Sequence, residues 1–453
     1  MLDKDAHDSP TGPKGKIITG HTKEFQSDTI GFLTRLAKEY GDVAKLRLGP
    51  FQNVYLISDP DLIKQILVTK QKSFLKSKDF DSLKPLIGEG LITSDKDFHM
   101  RQRRLIQPSF KKTHISNYAQ DMIDITKEYI STWKNGEERI ITEDTMSLAL
   151  GIVSKTMFST ELKDGYNLIG EPIDEVMKVA VKRMRNLFQL PLWIPTKSNR
   201  EYKKVLERLD TVIYSIIEGR REDAKSHEDM LGILMEARDE VDGLGMSDQQ
   251  VRDEVMTIFL AGHDTTATLL SWTLYLLSQN PEVEAKLFHE IDTVIGNRTP
   301  TPDDFMKLTY TQNIIWESLR IYPPLYVISR KAAEDVSIGN YHFKKGEMFL
   351  LSSYVMHHKP EYFDQPESFI PERFENNYLK TIPPFAYFPF GGGPRVCIGN
   401  HFAVMEAVLV LACIAQRYRI KLAPDHHEVK PLPLLTLRAK SGLRMIVEER
   451  NNG

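Results

Sequence analysis

The cysteine at position 397 stands between a glycine-rich turn and a predicted helix, where its sulfur could bind a metal. The turn contains Gly391 to Gly393, which allow close approach of a bulky group, and Pro394, which stiffens it. Because a helix is predicted from about residue 402, Cys397 would face N–H groups that lack intrahelical partners, and these favour the thiolate. Such a thiolate could hold haem iron and promote cleavage of the O–O bond of dioxygen.

Two other interpretations of this loop are open on the residues alone. A phosphate-binding loop needs a preceding strand and a following Gly-Lys-Ser/Thr; neither is present, and Pro394 interrupts the turn. The second interpretation is a glycine-rich turn beside a core cysteine, which needs neither the strand nor the Gly-Lys-Ser/Thr. The second cysteine, Cys413, lies in an apolar run and is expected to be a buried thiol. Two cysteines at this spacing favour neither a disulfide framework nor a zinc knuckle.

The apolar run 256–272 is a second segment that could do chemistry, because polar residues interrupt its middle. Gly262 lowers helix stability, and Asp264 and Thr265 are unfavourable inside such a helix. A helix that carries them is expected to gain a widened groove or a hydrogen-bonding site. A Gly/Thr contact between helices, with Asp264 on a hydrated face, explains the same residues and is favoured if the segment is taken alone.

Carboxylate and basic side chains also recur at helical spacing. Glu317 and Arg320 are expected on one helix face, and Arg373 follows in a Pro-Glu-Arg-Phe segment. Taken alone, such a pair is expected to be an ordinary solvated ion pair, because exposed pairs are common and weak. His99 and Arg103, one helical turn apart, are likewise expected to belong to a basic amphipathic face.

Length, composition and charge limit the classes of protein to which the chain can belong. The chain has 453 residues, 41% hydrophobic and 27% charged, which fits one large enzyme fold or two or three average domains. A formal net charge of −3 gives no reason to expect a nucleic-acid partner. The first residues are polar, and no stretch of about 18 uncharged apolar residues occurs. We therefore expect no membrane anchor and a cytoplasmic location.

Hydrophobic periodicity divides the chain into a large helical part and smaller β-rich parts. We predict a flexible N-terminal arm over 1–20 and then a β-hairpin over 43–57. Helical periodicity dominates from about 60 to 320, and short β-like runs follow over 321–374. The fold class is therefore mainly α with a small β-rich portion, in a single domain over 21–453. The clearest helical segments are predicted at 118–133, 202–221, 247–279 and 281–295.

In their order along the chain, these segments resemble the motifs of the cytochrome P450 family. The family pattern Phe-x-x-Gly-x-Arg-x-Cys-x-Gly is filled at every fixed position, by Phe390, Gly393, Arg395, Cys397 and Gly399. Residues 261–266 look like the family's Ala/Gly-Gly-x-Asp/Glu-Thr-Thr/Ser element, and its Glu-x-x-Arg and Pro-Glu-Arg-Phe elements are also present. The resemblance extends over about 30–447, with 160–245 similar only in helical character. It implies the cytochrome P450 fold and haem b as cofactor.

The resemblance also implies roles for individual residues. Cys397 would ligate the haem iron, with Phe390 packed beside the sulfur. Thr265 would hydrogen-bond the bound dioxygen, and Asp264 would relay protons to it. Ala261 stands where some fatty-acid hydroxylases of the family carry a glutamate joined to the haem, so no covalent link is expected.

Haem propionates and the haem loop would be held by further side chains. Propionate or other haem contacts are implied for His99, Arg103, Arg330, Arg395 and Gly399. Many family members have tryptophan at the position of His99, although several bacterial members have histidine. A buried Glu317–Arg320–Arg373 network would hold the haem loop without taking part in chemistry.

The implied activity is that of a haem-thiolate monooxygenase, which inserts one oxygen atom of O2 into an apolar substrate. No reductase follows the last family-like segment, so we expect a ferredoxin, a flavodoxin or a diflavin reductase as a separate electron donor, and a monomeric protein. A peroxide-driven peroxygenase is a first alternative; such enzymes typically replace the acid–threonine pair with Arg-Pro, which Asp264 and Thr265 do not match. A non-catalytic haem-thiolate ligand sensor is a second alternative, but it would not need this intact pair.

The substrate is encoded only weakly. The helix motif and the Pro-Glu-Arg-Phe region look closer to fatty-acid and microsomal-type members than to camphor-type bacterial ones. A long-chain fatty acid is therefore the first expectation and a terpenoid or steroid the second. The pocket is expected to use the loop near 74–92, the helix around 258–266 and a set of apolar side chains. The alternative for some of these side chains is that they only pack the core. These side chains are Phe188, Leu192, Leu325, Tyr326, Val327 and Ile328.

Overall fold

The computed structural model describes residues 9–160, 166–185, 191–222 and 229–450. These residues group into two compact units. The first unit comprises the described parts of Met1–Asp79, Leu319–Ser368 and Phe374–Cys397, and the second comprises those of Phe80–Ser318, Phe369–Arg373 and Ile398–Gly453. The sequence predicts one domain over 21–453. Because the chain passes between the units several times, no single linker marks their boundary, and composition does not reveal it.

Helices dominate the described residues, as the periodicity predicts. In chain order they are α1 (Thr22–Ser27), α2 (Thr29–Tyr40), α3 (Pro60–Lys64), α4 (Lys84–Ile87), α5 (Lys96–Ile106), α6 (Lys112–Ile130), α7 (Ile141–Phe158), α8 (Glu171–Arg185), α9 (Lys197–Glu222), α10 (Met230–Glu236), α11 (Asp248–Gln279), α12 (Pro281–Val294), α13 (Thr309–Ile321), α14 (Ser353–His357) and α15 (Asn400–Arg417). The segments predicted at 247–279 and 281–295 are thus helices with ends within one residue of those expected.

The strands are short and lie mostly near the chain's ends and in 328–351. They are β1 (Val43–Leu48), β2 (Gln52–Ile57), β3 (Phe74–Leu75), β4 (Glu137–Ile140), β5 (Ile328–Ala332), β6 (Val336–Ile338), β7 (Tyr341–Phe343), β8 (Met348–Leu351), β9 (Tyr418–Leu422), β10 (Pro431–Pro433), β11 (Leu437–Ala439) and β12 (Arg444–Glu449). The mainly α class with a small β-rich portion is confirmed.

A five-stranded sheet organises the first unit, with strand order β1-β2-β8-β5-β3. β1 and β2 form the predicted antiparallel hairpin, in which Val43 lies opposite Ile57 and Ala44 opposite Leu56. Because successive side chains of a strand point to opposite faces, the first pair joins one apolar cluster and the second pair joins another. Both faces of this hairpin are therefore buried, one of them against α2.

Residues of the predicted N-terminal arm pair with the first strand. Thr11 bridges Ala44, and Gly20 bridges Leu48. The Arg47 guanidinium also donates to the Ile17 carbonyl at 3.2 Å. Part of this Pro-, Gly- and Lys-rich segment is thus ordered rather than flexible, because backbone pairing with an edge strand needs no apolar side chains. Residues 1–8 lie outside the described residues.

Helix α11 packs against α7 in the second unit. Its start is fixed by a capping box: Gln250 N–H donates to Ser247 Oγ at 3.3 Å, and Ser247 N–H donates to Gln250 Oε1 at 2.8 Å. A Cβ at position 262 would lie 2.8 Å from a methyl group of Val153, so Gly262 permits the close approach of α7. The helix–helix contact that the sequence left open is therefore present at this glycine.

Small sheets complete the second unit. β12 pairs with both β4 and β9, and β10 and β11 form an antiparallel hairpin. Trp272 of α11 donates its indole N–H to the Leu437 carbonyl at 2.6 Å, which fixes the β10–β11 hairpin against the helix. Within the described ranges, no helix combines the length and the apolar character that crossing a membrane requires.

Candidate functional site

Backbone hydrogen bonds close the cysteine loop of the first unit. Cys397 N–H donates to the Phe390 carbonyl at 2.9 Å, and Val396 N–H donates to the Gly393 carbonyl at 3.0 Å. Cys397 is exposed, whereas Cys413 is buried, and burial raises the pKa of the Cys413 thiol to about 12. Of the two thiols, Cys397 is the one that a ligand can reach without first displacing core side chains.

The glycines of this loop make room for protein atoms. A Cβ at Gly393, where φ is +67°, would lie 1.9 Å from the Leu67 carbonyl oxygen. A Cβ at Gly392 would lie 2.2 Å from the ring of Phe385. The sequence predicts glycines here for close approach to a bulky ligand. The structure shows instead that two of them are required by neighbouring backbone and ring atoms of the same unit.

His357 of α14 accepts a hydrogen bond from the backbone just before the cysteine loop. Phe388 N–H donates to His357 Nε2 at 3.0 Å. Burial lowers the pKa of His357 well below its ordinary value, so the ring stays neutral and can accept this bond. The His357 carbonyl accepts from Arg320 at 3.0 Å. The sequence analysis did not identify this histidine, because no motif marks it.

The carboxylate and arginines predicted to form a network are all buried. In the second unit, Arg373 Nε donates to Glu317 Oε1 at 3.2 Å, and Ile370 N–H donates to the same oxygen at 2.9 Å. In the first unit, Arg320 donates to three carbonyl oxygens, those of His357, Pro366 and Ser368. The solvated ion pair expected from Glu317 and Arg320 alone is therefore wrong, because both side chains are fully buried.

One short face of α11 is less buried than the rest of its middle. All ten residues of 251–260 are buried, whereas Ala261, Gly262 and Thr265 are only partly so. Thr265 donates its hydroxyl to the Ala261 carbonyl at 2.7 Å, a bond to the preceding turn that such residues make inside helices. The family-like residues Ala261 and Thr265 thus share an accessible strip one helical turn long.

Asp264 is buried and paired with side chains that the sequence analysis missed. Arg438 Nε donates to Asp264 Oδ1 at 2.9 Å, and the Thr436 hydroxyl donates to Asp264 Oδ2 at 2.8 Å. Arg438 also donates to Asp174 of α8 at 2.9 Å. The hydrated face that would explain Asp264 without chemistry is therefore wrong. Asp264 joins α11 to the β10–β11 hairpin, and through Arg438 to α8.

A cavity of about 390 Å³ adjoins this network within the second unit. Its lining includes Asp174, Lys178 and Arg438, together with the hydroxyl-bearing Thr268 and Ser271 of α11. The Arg438 side chain is 25% exposed, while that of Asp264 is 5% exposed. Arg438 therefore stands between the cavity and the Asp264 carboxylate, and the polar lining suits water.

The basic face predicted on α5 is only partly solvated. His99 is 3% exposed, and Arg103 is partly buried. Arg101 donates to Asp242 at 3.0 Å and Arg104 to Asp239 at 3.0 Å, so both of these neighbouring arginines are paired within the second unit. An inward-facing His99 is what a ligand-contacting side chain requires, and its predicted propionate contact stays a prediction.

The predicted pocket side chains fall into three groups. Phe188 lies outside the described residues. Leu192, in the second unit, is partly buried. In the first unit, Leu325 is exposed, Val327 is partly buried, and Tyr326 and Ile328 are buried. Their contact with a common ligand stays a prediction.

The donor groups fit a haem better than a metal ion held by protein side chains alone. Among the described residues, no cluster of three or more His, Cys, Asp or Glu is arranged to hold a metal ion. A single accessible thiol suits a metal that brings its own ring of nitrogen ligands. Of the residues for which the resemblance implies haem contacts, Arg330, Phe390, Arg395 and Cys397 belong to the first unit. His99, Arg103, Ala261 and Gly399 belong to the second.

Comparison with known proteins gives one consistent result. The sequence profile described as Cytochrome P450 matches residues 10–445. Cyclooctatin synthase of Streptomyces melanosporofaciens is 35% identical over 440 residues, which cover 97% of this chain and 95% of that protein. Cyclooctat-9-en-7-ol 5-monooxygenase of the same organism is 34% identical, covering 91% of this chain and 90% of that protein.

A third relative and a solved structure agree with these. Pentalenene oxygenase of Streptomyces avermitilis is 31% identical and covers 98% of both chains. The crystal structure of the cytochrome P450DA heme domain superposes with a TM-score of 0.89 at 26% identity, covering 98% of each chain. The matches extend over the whole fold rather than over isolated motifs.

We expect Arg438→Leu to lower the free energy of unfolding by about 3 kcal/mol, because it leaves the buried Asp264 without its counter-charge. Arg444→Leu is a matched control in the next strand along the chain, since Arg444 pairs with Glu138 and Asp425, which are both exposed. Its loss should cost no more than about 1 kcal/mol. Urea unfolding of both variants measures the difference; equal losses would show that Asp264 does not depend on Arg438.

Proposed function

Because this chain belongs to the cytochrome P450 family and is a monooxygenase with haem b as its cofactor, we propose that its substrate is a terpenoid. Members of this family use O2 and electrons from a redox partner. The type of partner, whether ferredoxin, flavodoxin or diflavin reductase, and a monomeric state stay predictions.

The names of three relatives carry the substrate proposal. They refer to cyclooctatin, cyclooctat-9-en-7-ol and pentalenene, which are terpenoids. Each relative aligns with this chain over at least 90% of both lengths, so the likeness includes the segments that are expected to contact substrate. The terpenoid, which was the second expectation from sequence, is therefore favoured over a long-chain fatty acid.

When bound, the haem supplies the activation of dioxygen that oxygen insertion requires. We assign Cys397 as the residue that binds the iron, because its thiol is accessible and its loop is fixed by backbone hydrogen bonds. A loop fixed in this way holds the sulfur in one position. Cys413 is excluded from this role by its burial in α15.

Thr265 and Asp264 are proposed to deliver protons. The Thr265 hydroxyl is partly accessible on α11 and donates to a carbonyl, which leaves its oxygen able to accept from water or to turn toward a ligand. Asp264 is held by Arg438 and Thr436, so its carboxylate keeps one orientation. We propose that water in the neighbouring cavity brings protons to Asp264 when Arg438 releases Asp264 and keeps its bond to Asp174.

Spectral titration of the haem protein tests the substrate proposal. We expect pentalenene to shift the haem absorption band and dodecanoic acid to leave it unchanged at the same concentration, because displacement of water from the iron requires a ligand that fills the pocket. Product analysis with O2 and a surrogate ferredoxin system then identifies the hydroxylated product. A shift with dodecanoic acid alone would return the substrate to the fatty-acid class.

Cys397→Ser is expected to abolish the thiolate signature in the spectrum of the reduced carbon monoxide complex, because serine does not replace a thiolate ligand. Cys413→Ser is the control and should retain that signature, since its thiol is buried away from any ligand. The reverse result, with the signature lost only in Cys413→Ser, would show that the assignment of Cys397 is wrong.

Thr265→Ala is expected to reduce the product formed per electron consumed by about tenfold or more, because a positioned proton donor contributes at least that much. Thr273→Ala is a matched control, since Thr273 makes the same hydroxyl bond to the preceding turn of α11, to Leu269 at 2.8 Å. Electron consumption and product are measured together. Unchanged coupling in Thr265→Ala would remove Thr265 from proton delivery.

A further inference from the structure

The loop 88–91, which follows α4, is held against α11 by two neighbouring carboxylates. Glu89 N–H donates to Asp253 Oδ2 at 2.9 Å, and Leu91 N–H donates to Glu254 Oε2 at 3.0 Å. Alternate backbone N–H groups of the loop therefore meet adjacent side chains of the helix. We call these two carboxylates, with the loop they hold, the carboxylate clasp.

Two glycines make the carboxylate clasp possible. A Cβ at Gly88, where φ is +53°, would lie 2.0 Å from the Asp253 carboxylate. A Cβ at Gly90 would lie 2.1 Å from the Thr257 hydroxyl oxygen. Any side chain at either position would therefore push the loop away from α11, and only glycine lets its backbone come within hydrogen-bonding distance.

Burial makes these hydrogen bonds strong and directional. Asp253 is 5% exposed and Glu254 is fully buried. Buried carboxylates are tolerated only when their oxygens are hydrogen-bonded, so the loop and the helix must stay in register. An apolar contact would hold the loop without the free-energy cost of removing two carboxylates from water. It would not, however, fix the position of each backbone atom.

A chain of charges extends the carboxylate clasp to α9. Asp253 Oδ1 accepts from Arg252 at 3.1 Å and from Gln249 at 2.8 Å. Arg252 is itself 4% exposed and pairs with Asp210 of α9, to which its Nε donates at 2.8 Å. The position of the loop is therefore coupled to that of a second helix through one buried arginine.

The carboxylate clasp lies close to the accessible strip of α11. Thr257, which Gly90 contacts, precedes Ala261 by four residues, or about 6 Å along the helix axis, and Thr265 by about 12 Å. The loop therefore contacts α11 within the buried stretch 251–260, one helical turn before the strip formed by Ala261, Gly262 and Thr265. A shift of the loop would change the space next to that strip.

We propose that Asp253 and Glu254 are positioning residues that set which apolar substrates bind, by fixing loop 88–91 beside the accessible strip of α11. This inference rests on the proposed function as a monooxygenase with an apolar substrate. Neither carboxylate takes part in oxygen insertion. Their role is to keep the boundary of the substrate space in one position.

The test uses two ligands that bind haem iron through an imidazole nitrogen. Imidazole is small, whereas 4-phenylimidazole carries a phenyl ring that must fit the space beside the haem. For Glu254→Leu in the haem-bound protein, we expect the dissociation constant of 4-phenylimidazole to rise about tenfold, because the loop loses the hydrogen bond that holds Leu91 N–H. The dissociation constant of imidazole should stay within about twofold of the wild type. Spectral titration gives both constants.

Glu254→Gln is the conservative control, because the glutamine side-chain oxygen can still accept from Leu91 N–H. It should restore binding of 4-phenylimidazole to within about threefold of the wild type, since most of the hydrogen bond is retained. If Glu254→Leu does not fold, Gly90→Ala displaces the loop with both carboxylates intact, and it should weaken 4-phenylimidazole binding in the same selective way.

Selective loss of the larger ligand, with recovery in Glu254→Gln, supports the proposal. Equal weakening of both ligands, or a lower melting temperature with no change in either constant, would show that the carboxylate clasp only anchors the fold. Because neither ligand is a terpenoid, this result is independent of the substrate titration. Failure of pentalenene to bind would overturn the terpenoid proposal, and the two imidazole titrations would still test the carboxylate clasp.

Discussion

The second unit depends on the pairing of charges buried in α11. This helix carries Arg252, Asp253, Glu254 and Asp264, each 5% exposed or less. A buried charge without a partner would destabilise the fold by several kcal/mol, so each must find one. The partners come from different elements: α9, the loop after α4, and the β10–β11 hairpin. These contacts hold α9, the loop after α4 and the β10–β11 hairpin in place against α11.

The cysteine loop of the first unit is stabilised by a different kind of constraint. Its shape comes from backbone hydrogen bonds and from glycines that tolerate contact with Leu67 and Phe385. A neutral buried histidine, His357, accepts from the loop's backbone and links it to Arg320. The thiol of Cys397 is accessible although the backbone around it is held by hydrogen bonds.

The pairing of Asp264 changes how its role in proton delivery is understood. An acid that shuttles protons is usually thought of as free to rotate, yet this carboxylate is held by Arg438 and Thr436 on both oxygens. Arg438 bonds to Asp174 in the same position, and Arg438 and Asp174 both line the neighbouring cavity. Under the proposed role of Asp264, proton delivery would involve α8 and the β10–β11 hairpin as well as α11.

The terpenoid proposal and the carboxylate clasp address the same question at different levels. Relatives whose names contain cyclooctatin or pentalenene indicate a class of ligand. The role that we propose for Asp253 and Glu254 concerns how one boundary of the ligand space is held. Related proteins can bind the same class of ligand and still differ in how this boundary is held, because the position of loop 88–91 depends on a few hydrogen bonds and two glycines. Specificity within the class can therefore change without any change at the cysteine.

The sequence by itself determined the family and the loop that carries Cys397, because both are recognised from local motifs. It also determined the mainly helical class, because hydrophobic periodicity is a local property of the chain. It also located α11 and α12 to within a residue, since capping residues and proline mark their ends. Only the tertiary structure decided the partners: Arg438 for Asp264, His357 for the loop, and the backbone of 88–91 for Asp253 and Glu254. Such pairs join residues far apart in the chain, and no local spacing encodes which distant group will meet a buried charge.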